Sequence, residues 1–297
     1  MFRTDITGIG DPFVLLHGGK YYLYATSAED GFLYWTSDNL KDWEKGGYCY
    51  KNPAWGYECF WAPEVFEIDG KFYMLYTARW TKNKSLRIGL AVADKPEGPF
   101  VEMNDGPLFD FGYAAIDATL LTDDDGRRYI YYSRDCSENK IDGYNTSQIY
   151  VFEISRDLKK ILSEPKLLTT PDRESEYLSG RTRWNEGPFV IKQGGKYHLN
   201  YSMNCYATKE YALGVAVSDS PMGEFKKYEN NPILSYRDCD EDFSGPGHNC
   251  VFMGKDGNLY TSFHIHTFAD APSGNRRAVI ARVEFDEGGN MQIKLDQ

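Results

Sequence analysis

The sequence predicts an all-β protein, with the architecture of a five-bladed β-propeller built from four-stranded blades. One observation is a module that recurs five times along the 297 residues, a glycine-containing turn between two apolar runs. Another is that capped helical periodicity is absent from any stretch longer than a turn or two. Because a lone four-stranded sheet cannot bury both faces, such modules are typical of radial repetition. The turn glycines are Gly19, Gly70, Gly126, Gly195 and Gly257.

The elements follow from this pattern in chain order. The first module places apolar runs at 11–16 and 21–25 around a Gly18-Gly19 turn, which predicts a buried hairpin, and a third strand at 31–37. The second and fourth modules repeat it at 63–76 with 86–93, and at 188–201 with 212–218. A fourth short strand should lie outermost in each module. The extra length should lie in loops such as 134–147 and 172–183, and 1–297 is predicted to be one domain.

Composition excludes several classes of partner. The formal charge of −11 and the pI near 5.0 disfavour nucleic acid and anionic lipid. No apolar run approaches the roughly 18 residues of a membrane helix, and no signal peptide is visible, so we expect a cytoplasmic protein unless a leader was removed. The six cysteines show no Cys-x-x-Cys spacing and are expected to be reduced thiols.

Candidate functional residues share one position in the modules. Counting eight or nine residues back from each turn glycine reaches Asp11, Trp61 (with Ala62), Asp117, Glu186 and His248. In a propeller the first strand of every blade lies innermost, so these residues should form a ring around one mouth of the central channel. Crowded carboxyls with different neighbours can acquire pKa values that differ widely, which is what hydrolysis of a glycosidic bond requires.

Structural roles compete with functional ones at each position. Asp11 precedes Pro12 and could start a turn, whereas Asp117 interrupts an apolar strand, where an unused charge is costly. Glu186 could instead pair with Arg181 or Arg183. His248 could bind metal, hold a water or simply pack, since a lone histidine is usually structural.

Aromatic residues near the ring are open to two interpretations. Phe60 and Trp61 either belong to the core or form a platform for the apolar face of a sugar. Tyr113 and Trp184 carry the same alternatives. Glu64 is a fourth acid that either supports the structure or binds a sugar hydroxyl.

Four segments resemble the signatures of glycoside hydrolase family 43: Gly10-Asp11-Pro12-Phe13, Trp61-Ala62-Pro63-Glu64-Val65, Ala115-Ile116-Asp117-Ala118 and Asn185-Glu186-Gly187-Pro188. The resemblance implies a five-bladed propeller that hydrolyses arabinofuranosides, xylosides or galactans with inversion. It implies that Asp11 is the general base, that Glu186 is the general acid and that Asp117 orients the acid. It also implies that His248 lies beside a mainly water-coordinated calcium or other ion. Arg276, with Arg277 as the competing choice, resembles an arginine that reaches the sugar.

The expected activity is therefore that of an inverting glycosidase, whose two carboxyl groups lie roughly 6.5 to 9.5 Å apart. We favour an exo-acting α-L-arabinofuranosidase on arabinan or arabino-oligosaccharides, with β-xylosidase, exo-galactanase and endo-arabinanase as alternatives. The substrate is expected to be a plant-type oligosaccharide or polysaccharide, bound by loops 48–60, 135–146 and 268–276. The alternative from another class is a non-catalytic propeller that binds glycans or proteins. The sequence does not predict the oligomeric state.

Overall fold

The computed structural model describes residues 1–51 and 54–295. Residues 52 and 53, inside the predicted substrate loop 48–60, and residues 296 and 297, at the end of the predicted domain, lie outside the described residues. The described chain is almost entirely β-structure, as predicted, with single 3₁₀ turns at Cys136–Glu138 and Glu174–Glu176. None of the helices in these residues is long and apolar enough to cross a membrane. The six cysteines form no disulfide bond.

The strands run in chain order as follows. The first eleven are β1 (Phe2–His17), β2 (Lys20–Thr26), β3 (Gly31–Ser37), β4 (Glu44–Lys51), β5 (Gly56–Ile68), β6 (Lys71–Trp80), β7 (Leu86–Ala93), β8 (Val101–Glu102), β9 (Ala115–Thr122), β10 (Arg128–Arg134) and β11 (Lys140–Ile141). The others are β12 (Tyr144–Thr146), β13 (Gln148–Ile154), β14 (Lys166–Thr169), β15 (Thr182–Arg183), β16 (Asn185–Gln193), β17 (Lys196–Met203), β18 (Ala212–Ser218), β19 (Lys226–Lys227), β20 (Gly247–Met253), β21 (Leu259–His266), β22 (Arg276–Phe285) and β23 (Met291–Lys294).

The strands form antiparallel sheets that follow the five modules. Strands β5–β8 form one four-stranded sheet, β9, β10, β13 and β14 a second, and β16–β19 a third. An eight-stranded sheet runs in the order β20-β21-β22-β1-β2-β3-β4, with β23 also paired to β22. Strands β11, β12 and β15 form a small sheet within the long connections of the third module.

The eight-stranded sheet joins the first module to the last through β1. Gly10 and residues 13–17 of β1 pair with β2, as the motif predicts. Its beginning pairs with β22, with Phe2 opposite Ile280 and Arg3 opposite Val279. The sequence analysis missed this part of β1, because it lies before the repeated motif and its partner is more than 270 residues away. The amino-terminal segment therefore closes the molecule by pairing with its last module.

The first strands of the five modules contact one another in a closed cycle. Strand β1 contacts β5, β5 contacts β9, β9 contacts β16, β16 contacts β20, and β20 contacts β1. The hydrophobic core lies between neighbouring modules, where Tyr and Phe side chains such as Tyr24, Phe32 and Tyr76 pack. Each module thus covers a face that its neighbour could not bury alone.

Each of these five strands carries a β-bulge at the same place. The register shifts there, and one residue has a left-handed backbone, with φ of +48° to +55°. These residues are Asp11, Ala62, Asp117, Gly187 and His248. A bulge redirects side chains that would otherwise follow the strict alternation of a strand. The positions equivalent to Asp11 in the second and fourth modules are therefore Ala62 and Gly187, so Trp61 and Glu186 each precede the shared position by one residue.

A repeated hydrogen bond fixes every bulge to the preceding module. The backbone N–H of Ala62 donates to Thr26 Oγ1 at 2.8 Å, and that of Asp117 donates to Thr77 Oγ1 at 3.1 Å. Those of Gly187 and His248 donate to serine hydroxyls, Ser133 and Ser202. In the fifth case the N–H of Asp11 donates to His264 Nδ1 at 3.2 Å, so a histidine replaces the hydroxyl residue.

Thr77→Val should destabilise the protein by about 1–3 kcal/mol, because it leaves the buried N–H of Asp117 without an acceptor. Urea denaturation measures the free energy of unfolding. Thr36→Val is the matched control, since Thr36 is half-buried in β3 and its hydroxyl forms no hydrogen bond within the described part of the chain. Equal stability of the two variants would contradict this role of Thr77.

Candidate active site

The ring of bulges surrounds a cavity of about 370 Å³. Its wall includes the three carboxylates and two further residues predicted from the sequence, Trp61 and His248, together with Arg276. Those six residues are Asp11, Trp61, Asp117, Glu186, His248 and Arg276. Phe60 is not part of this wall; it is buried between the first two modules, where its ring lies edge-on to Phe32.

Asp11 is held in its ionised form. Its Oδ1 lies 2.9 Å from Arg276 Nη1 and 3.4 Å from His248 Nδ1, and Thr26 Oγ1 donates to Oδ2 at 2.5 Å. Burial opposes ionisation of this carboxyl, but Arg276, His248, His264 and the Thr26 hydrogen bond together lower its pKa well below the usual range. Asp11 is therefore a carboxylate over the ordinary pH range.

Glu186 has the opposite electrostatic environment. Its side chain is only 7% exposed. Burial is the largest cause that raises its pKa, to about 8, and the negative charges of Asp135 and Asp11 act in the same direction. The hydroxyl of Tyr211 donates to Oε1 at 2.9 Å and partly opposes this shift, as does Arg276. Glu186 is therefore protonated at neutral pH.

Asp117 links the other two carboxyl groups. Its Oδ2 accepts the backbone N–H of Gly187 at 3.2 Å, which fixes the backbone directly after Glu186. Burial raises its pKa to about 8, and the charges of Glu186, Asp11 and Asp135 add to this effect, whereas His248 opposes it. The left-handed φ of +55° at Asp117 turns this side chain out of the regular strand alternation.

A stacked pair of rings connects the environments of Asp11 and Glu186. The rings of Tyr211 and His264 are nearly parallel, with an interplanar angle of 4° and centroids 5.5 Å apart. Tyr211 holds Glu186, and His264 accepts the N–H of Asp11. Gly247 makes room for this pair, since a Cβ there would lie 2.0 Å from the Tyr211 ring. The hydrogen-bond partner of Glu186 thus packs against that of Asp11.

The sequence profile of glycosyl hydrolases family 43 matches residues 7–291. The chain belongs to glycoside hydrolase family 43. Family 43 enzymes hydrolyse glycosidic bonds with inversion and have propeller folds.

Solved structures and characterised relatives agree with this assignment. A thermostable family 43 glycoside hydrolase superposes with a TM-score of 0.95 at 47% identity, covering 100% of this chain and 96% of that one. A Bacteroides thetaiotaomicron structure described as an endo-1,4-β-xylanase gives 0.86 at 34%, covering 98% and 95%. A β-D-galactofuranosidase of Aspergillus niger is 24% identical, over 95% of this chain and 81% of its own. A β-xylosidase of Xylanibacter ruminicola is 29% identical, over 80% and 75%.

In this family 43 chain the structure shows where Glu186, Trp184 and Tyr113 lie, each of which had two alternative roles in the sequence analysis. Glu186 pairs with neither Arg181 nor Arg183; the Arg183 guanidinium lies against the rings of Tyr144 and Tyr177 instead. Trp184 lines the cavity of about 370 Å³, whereas Tyr113 is not part of its wall and lies under Arg134.

Arg276 contacts Asp11, and Glu64 lies apart from the main cavity. The Nη1 of Arg276 donates to Asp11 Oδ1, whereas Arg277 forms no ion pair with a described residue. Glu64 is buried, and burial, together with the charge of Asp117, raises its pKa well above the usual range.

Two residues of the site escaped the sequence analysis. Asp135 follows β10, lines the cavity and acts electrostatically on both Glu186 and Asp117. It also accepts a hydrogen bond from the N–H of Ser137, which is the usual role of an Asp at the start of a turn, so its sequence pattern does not indicate a functional residue. Tyr211 precedes β18 and is one of 23 tyrosines. The available signal for Asp135 was its position directly after a buried second strand, at the rim where the ring of bulges lies.

A metal ion was predicted beside His248. Among residues 1–51 and 54–295, no group of three or more His, Cys, Asp or Glu side chains is arranged to hold one. The space lined by Asp11, Glu64, His248 and Asn249 has no room for a water molecule, although the buried Asn249 Oδ1 has no hydrogen-bond partner there. A hydrated hard cation needs more room than this space offers, so the residues around it do not fit the predicted ion.

The two carboxyl groups predict the pH profile of activity. If catalysis needs ionised Asp11 and protonated Glu186, activity should extend into acid and fall as the pH rises through about 8. Tyr211→Phe removes a hydrogen bond that favours ionised Glu186, so the basic limb should move to higher pH and kcat should fall. The measurement is kcat/KM against pH.

The control for this variant is Tyr131→Phe, which removes a buried tyrosine hydroxyl that donates to Pro221 O, away from the site. The other titratable or charged groups that face Glu186 are the same in the wild type and in Tyr211→Phe. They are Asp11, Asp117, Asp135, Cys136, Cys205 and Arg276. An unchanged basic limb in Tyr211→Phe would contradict the role given to this hydroxyl.

Proposed function

We propose that this family 43 enzyme is an exo-acting α-L-arabinofuranosidase that acts on arabinan or arabino-oligosaccharides. The observation that carries the proposal is the pairing of an ionised and a protonated carboxyl group on one cavity of about 370 Å³, whose wall includes the aromatic rings of Trp61 and Trp184. A cavity of this volume is at the lower end of the range for small-ligand sites, which suits a single sugar residue. An extracellular exo-α-(1→5)-L-arabinofuranosidase of Streptomyces chartreusis, 26% identical over 66% of this chain, supports arabinofuranose as the sugar that is released.

The roles of the residues follow from their protonation. Glu186 donates its proton to the glycosidic oxygen as the bond to the anomeric carbon breaks. Asp11 takes a proton from the water that attacks the opposite face of that carbon, so the product has inverted configuration. Asp117 holds the backbone beside Glu186 and does not react. Arg276 keeps Asp11 ionised and reaches the cavity, where it donates to sugar oxygens.

β-Xylosidase activity is the second candidate. It is favoured by the relative from Xylanibacter ruminicola and by a xylosidase/arabinosidase of Bacteroides ovatus, which is 29% identical over 58% of this chain. The two pentoses differ in ring form and in the orientation of their hydroxyl groups, which the loops around the cavity must distinguish. Exo-galactanase and endo-arabinanase activities are the further outcomes that the experiment resolves.

The test is a panel of p-nitrophenyl furanosides and pyranosides, followed by linear arabinan and xylan. We expect release from the α-L-arabinofuranoside, and a proton NMR time course should show the inverted anomer first. Faster release from the β-D-xyloside would move the assignment to the second candidate. Release from none of them, with retained glycan binding, would support a non-catalytic propeller.

We also propose that the five modules are five blades of four strands. Three modules are separate four-stranded sheets, and β1–β4 and β20–β23 make up the eight-stranded one. In the last blade, the beginning of β1 and β23 would together complete the outer edge along β22. A crystal structure with another number of blades would contradict this.

We also propose a mainly water-coordinated ion in the central channel, beside His248. It would supply positive charge near Asp11 and so favour the ionised base. Elemental analysis of the purified protein before and after dialysis against a chelator tests for it, and absence of calcium or another bound cation before dialysis would contradict the proposal.

A further inference from the structure

The segment 172–183 connects the third module to the fourth and carries one fully buried carboxylate. Glu176 lies in the 3₁₀ turn Glu174–Glu176 and is 0% exposed. It is not part of the wall of the catalytic cavity. Because a buried carboxylate is costly unless it is paired and hydrogen-bonded, the partners of Glu176 indicate what it holds in place.

Six hydrogen bonds converge on the Glu176 carboxylate. Its Oε1 accepts from Asn185 Nδ2 at 3.1 Å, from the Tyr201 hydroxyl at 2.9 Å and from Lys227 Nζ at 2.8 Å. Its Oε2 accepts from the same Nζ at 2.8 Å and from two backbone N–H groups of its own segment. The carboxylate therefore joins the segment to three strands of the fourth module, β16, β17 and β19.

Lys227 neutralises this carboxylate inside the protein. Its side chain is 6% exposed, and its Nζ also donates to Thr170 O at 2.7 Å and to Asp172 Oδ1 at 2.8 Å. A buried ion pair often stabilises a fold no more than apolar residues of the same volume, because both charges lose their hydration. Apolar residues, however, cannot hold a neighbouring amide in one orientation. The pair therefore fits a positioning role better than a purely stabilising one.

Asn185 connects the buried pair to the general acid. It is the residue directly before Glu186 and is 0% exposed. Its Nδ2 donates both to Glu176 Oε1 and to Trp184 O, the latter at 2.9 Å. Trp184 is itself part of the cavity wall. The amide of Asn185 thus fixes the backbone that leads from the cavity wall into the acid.

Glu186 is thereby restrained on both sides. The N–H of Gly187, the next residue, donates to Asp117 Oδ2 at 3.2 Å. Glu176 has the corresponding role on the other side, through Asn185. A general acid must lie within hydrogen-bond reach of the oxygen that it protonates. A misplacement of about 1 Å can lower the rate about 10²-fold, so both restraints bear on catalysis.

We propose that Glu176, paired with Lys227, is a positioning residue for the general acid, which it holds in place through Asn185. The proposal rests on the proposed function, in which Glu186 is the acid, and extends it to an ion pair that touches no substrate. Loss of this restraint lets the acid move away from the leaving oxygen, while Asp11 and the attacking water keep their places. The rate then falls only for leaving groups that need a proton.

Asn185→Ala tests the link between the pair and the acid. We expect kcat on arabinobiose to fall about 10–100-fold. KM should stay within about twofold of the wild type, because the lost restraint acts on the transition state and Asn185 is not part of the cavity wall. On dinitrophenyl α-L-arabinofuranoside kcat should change little, because that leaving group departs as a stable anion.

Asn139→Ala is the matched control. Asn139 is also a buried asparagine, and its Nδ2 also donates two hydrogen bonds, to Thr146 O at 2.8 Å and to Gln148 Oε1 at 3.0 Å. Neither bond holds the residue before the acid. Any loss of kcat in this variant should therefore be the same on both substrates.

Glu176→Leu/Lys227→Met is a second variant, which keeps Asn185 and removes both charges together. Neither charge is then left buried without its partner, so the protein should still fold. Circular dichroism and urea denaturation check folding of every variant. The double variant should show the same difference between the two substrates as Asn185→Ala.

An equal loss on both substrates in Asn185→Ala and in the double variant would overturn the positioning role, because general damage to the fold affects both reactions. If the wild type cleaves xylosides instead, xylobiose and the dinitrophenyl xyloside replace the arabinosides.

A crystal structure of Asn185→Ala separates this result from failure of the proposed function. If Glu186→Gln shows no dependence on the leaving group, the acid role of Glu186 fails. The structure still decides the role of Glu176. Displacement of the Glu186 carboxyl from the Tyr211 hydroxyl would support it, and an unchanged separation of 2.9 Å would refute it.

Discussion

Asp11→Asn is expected to lower kcat by about 10²–10⁴-fold, the range for loss of a general base. An amide cannot take the proton of the attacking water. The backbone should tolerate the change, because Asn adopts the left-handed region as readily as Asp, and φ at this position is +53°. The measurement is kcat on an aryl arabinofuranoside, with circular dichroism to confirm folding.

Asp69→Asn is the matched control, because Asp69 also has a left-handed backbone, φ +52°, but lies exposed at the turn between β5 and β6. Azide adds a second readout, since an anionic nucleophile needs no base. It should restore turnover in Asp11→Asn by forming a glycosyl azide of inverted configuration. Activity of Asp11→Asn close to that of the wild type would remove the base assignment.

Glu186→Gln is expected to lower kcat by a similar factor, about 10²–10⁴-fold, on substrates whose leaving group is a sugar. The reason is that a sugar alkoxide must be protonated as it departs, and Gln has no proton to give. The loss should be much smaller for a dinitrophenyl glycoside, because that leaving group departs as a stable anion. Comparing kcat for arabinobiose and the dinitrophenyl arabinofuranoside measures the difference.

The Asp11→Asn variant provides the control for this comparison, since loss of the base should affect both substrates alike. Glu186→Gln should also change the basic limb of the pH profile near pH 8, because Glu186 is one of two groups, with Asp117, whose pKa is raised to about 8. An equal loss on both substrates would contradict the role of Glu186 as proton donor.

The contrast between Asp11 and Glu186 has an identifiable origin. Both carboxyl groups are buried, which raises the pKa of each. Asp11 has Arg276 at 2.9 Å and imidazoles nearby, and these outweigh burial. Glu186 faces the carboxylates of Asp135 and Asp11 and has the neutral hydroxyl of Tyr211 as its hydrogen-bond donor. Neighbouring charge thus divides two similar residues into an acid and a base.

The repeated hairpin, the all-β class and the candidate carboxylates can be predicted from local sequence. These features depend on residues that are close together along the chain. Apolar runs around Gly turns predict strands, and a charged residue such as Asp117 inside an apolar run indicates a functional position. The register of the strands was predicted less accurately. A bulge changes which residues of two modules are equivalent, and it has no separate signal in the sequence. For this reason Glu186 was assigned to the position that Gly187 occupies.

Long-range packing sets the protonation states and the pairing of the amino-terminal half of β1 with β22. Arg276 is 265 residues from Asp11, and β1 pairs with β22 across nearly the whole chain. His264 takes the place that Thr and Ser hold in the other modules, which becomes visible only when the modules are arranged in a cycle. Electrostatic shifts depend on distance and burial in space, and the order of residues along a chain specifies neither.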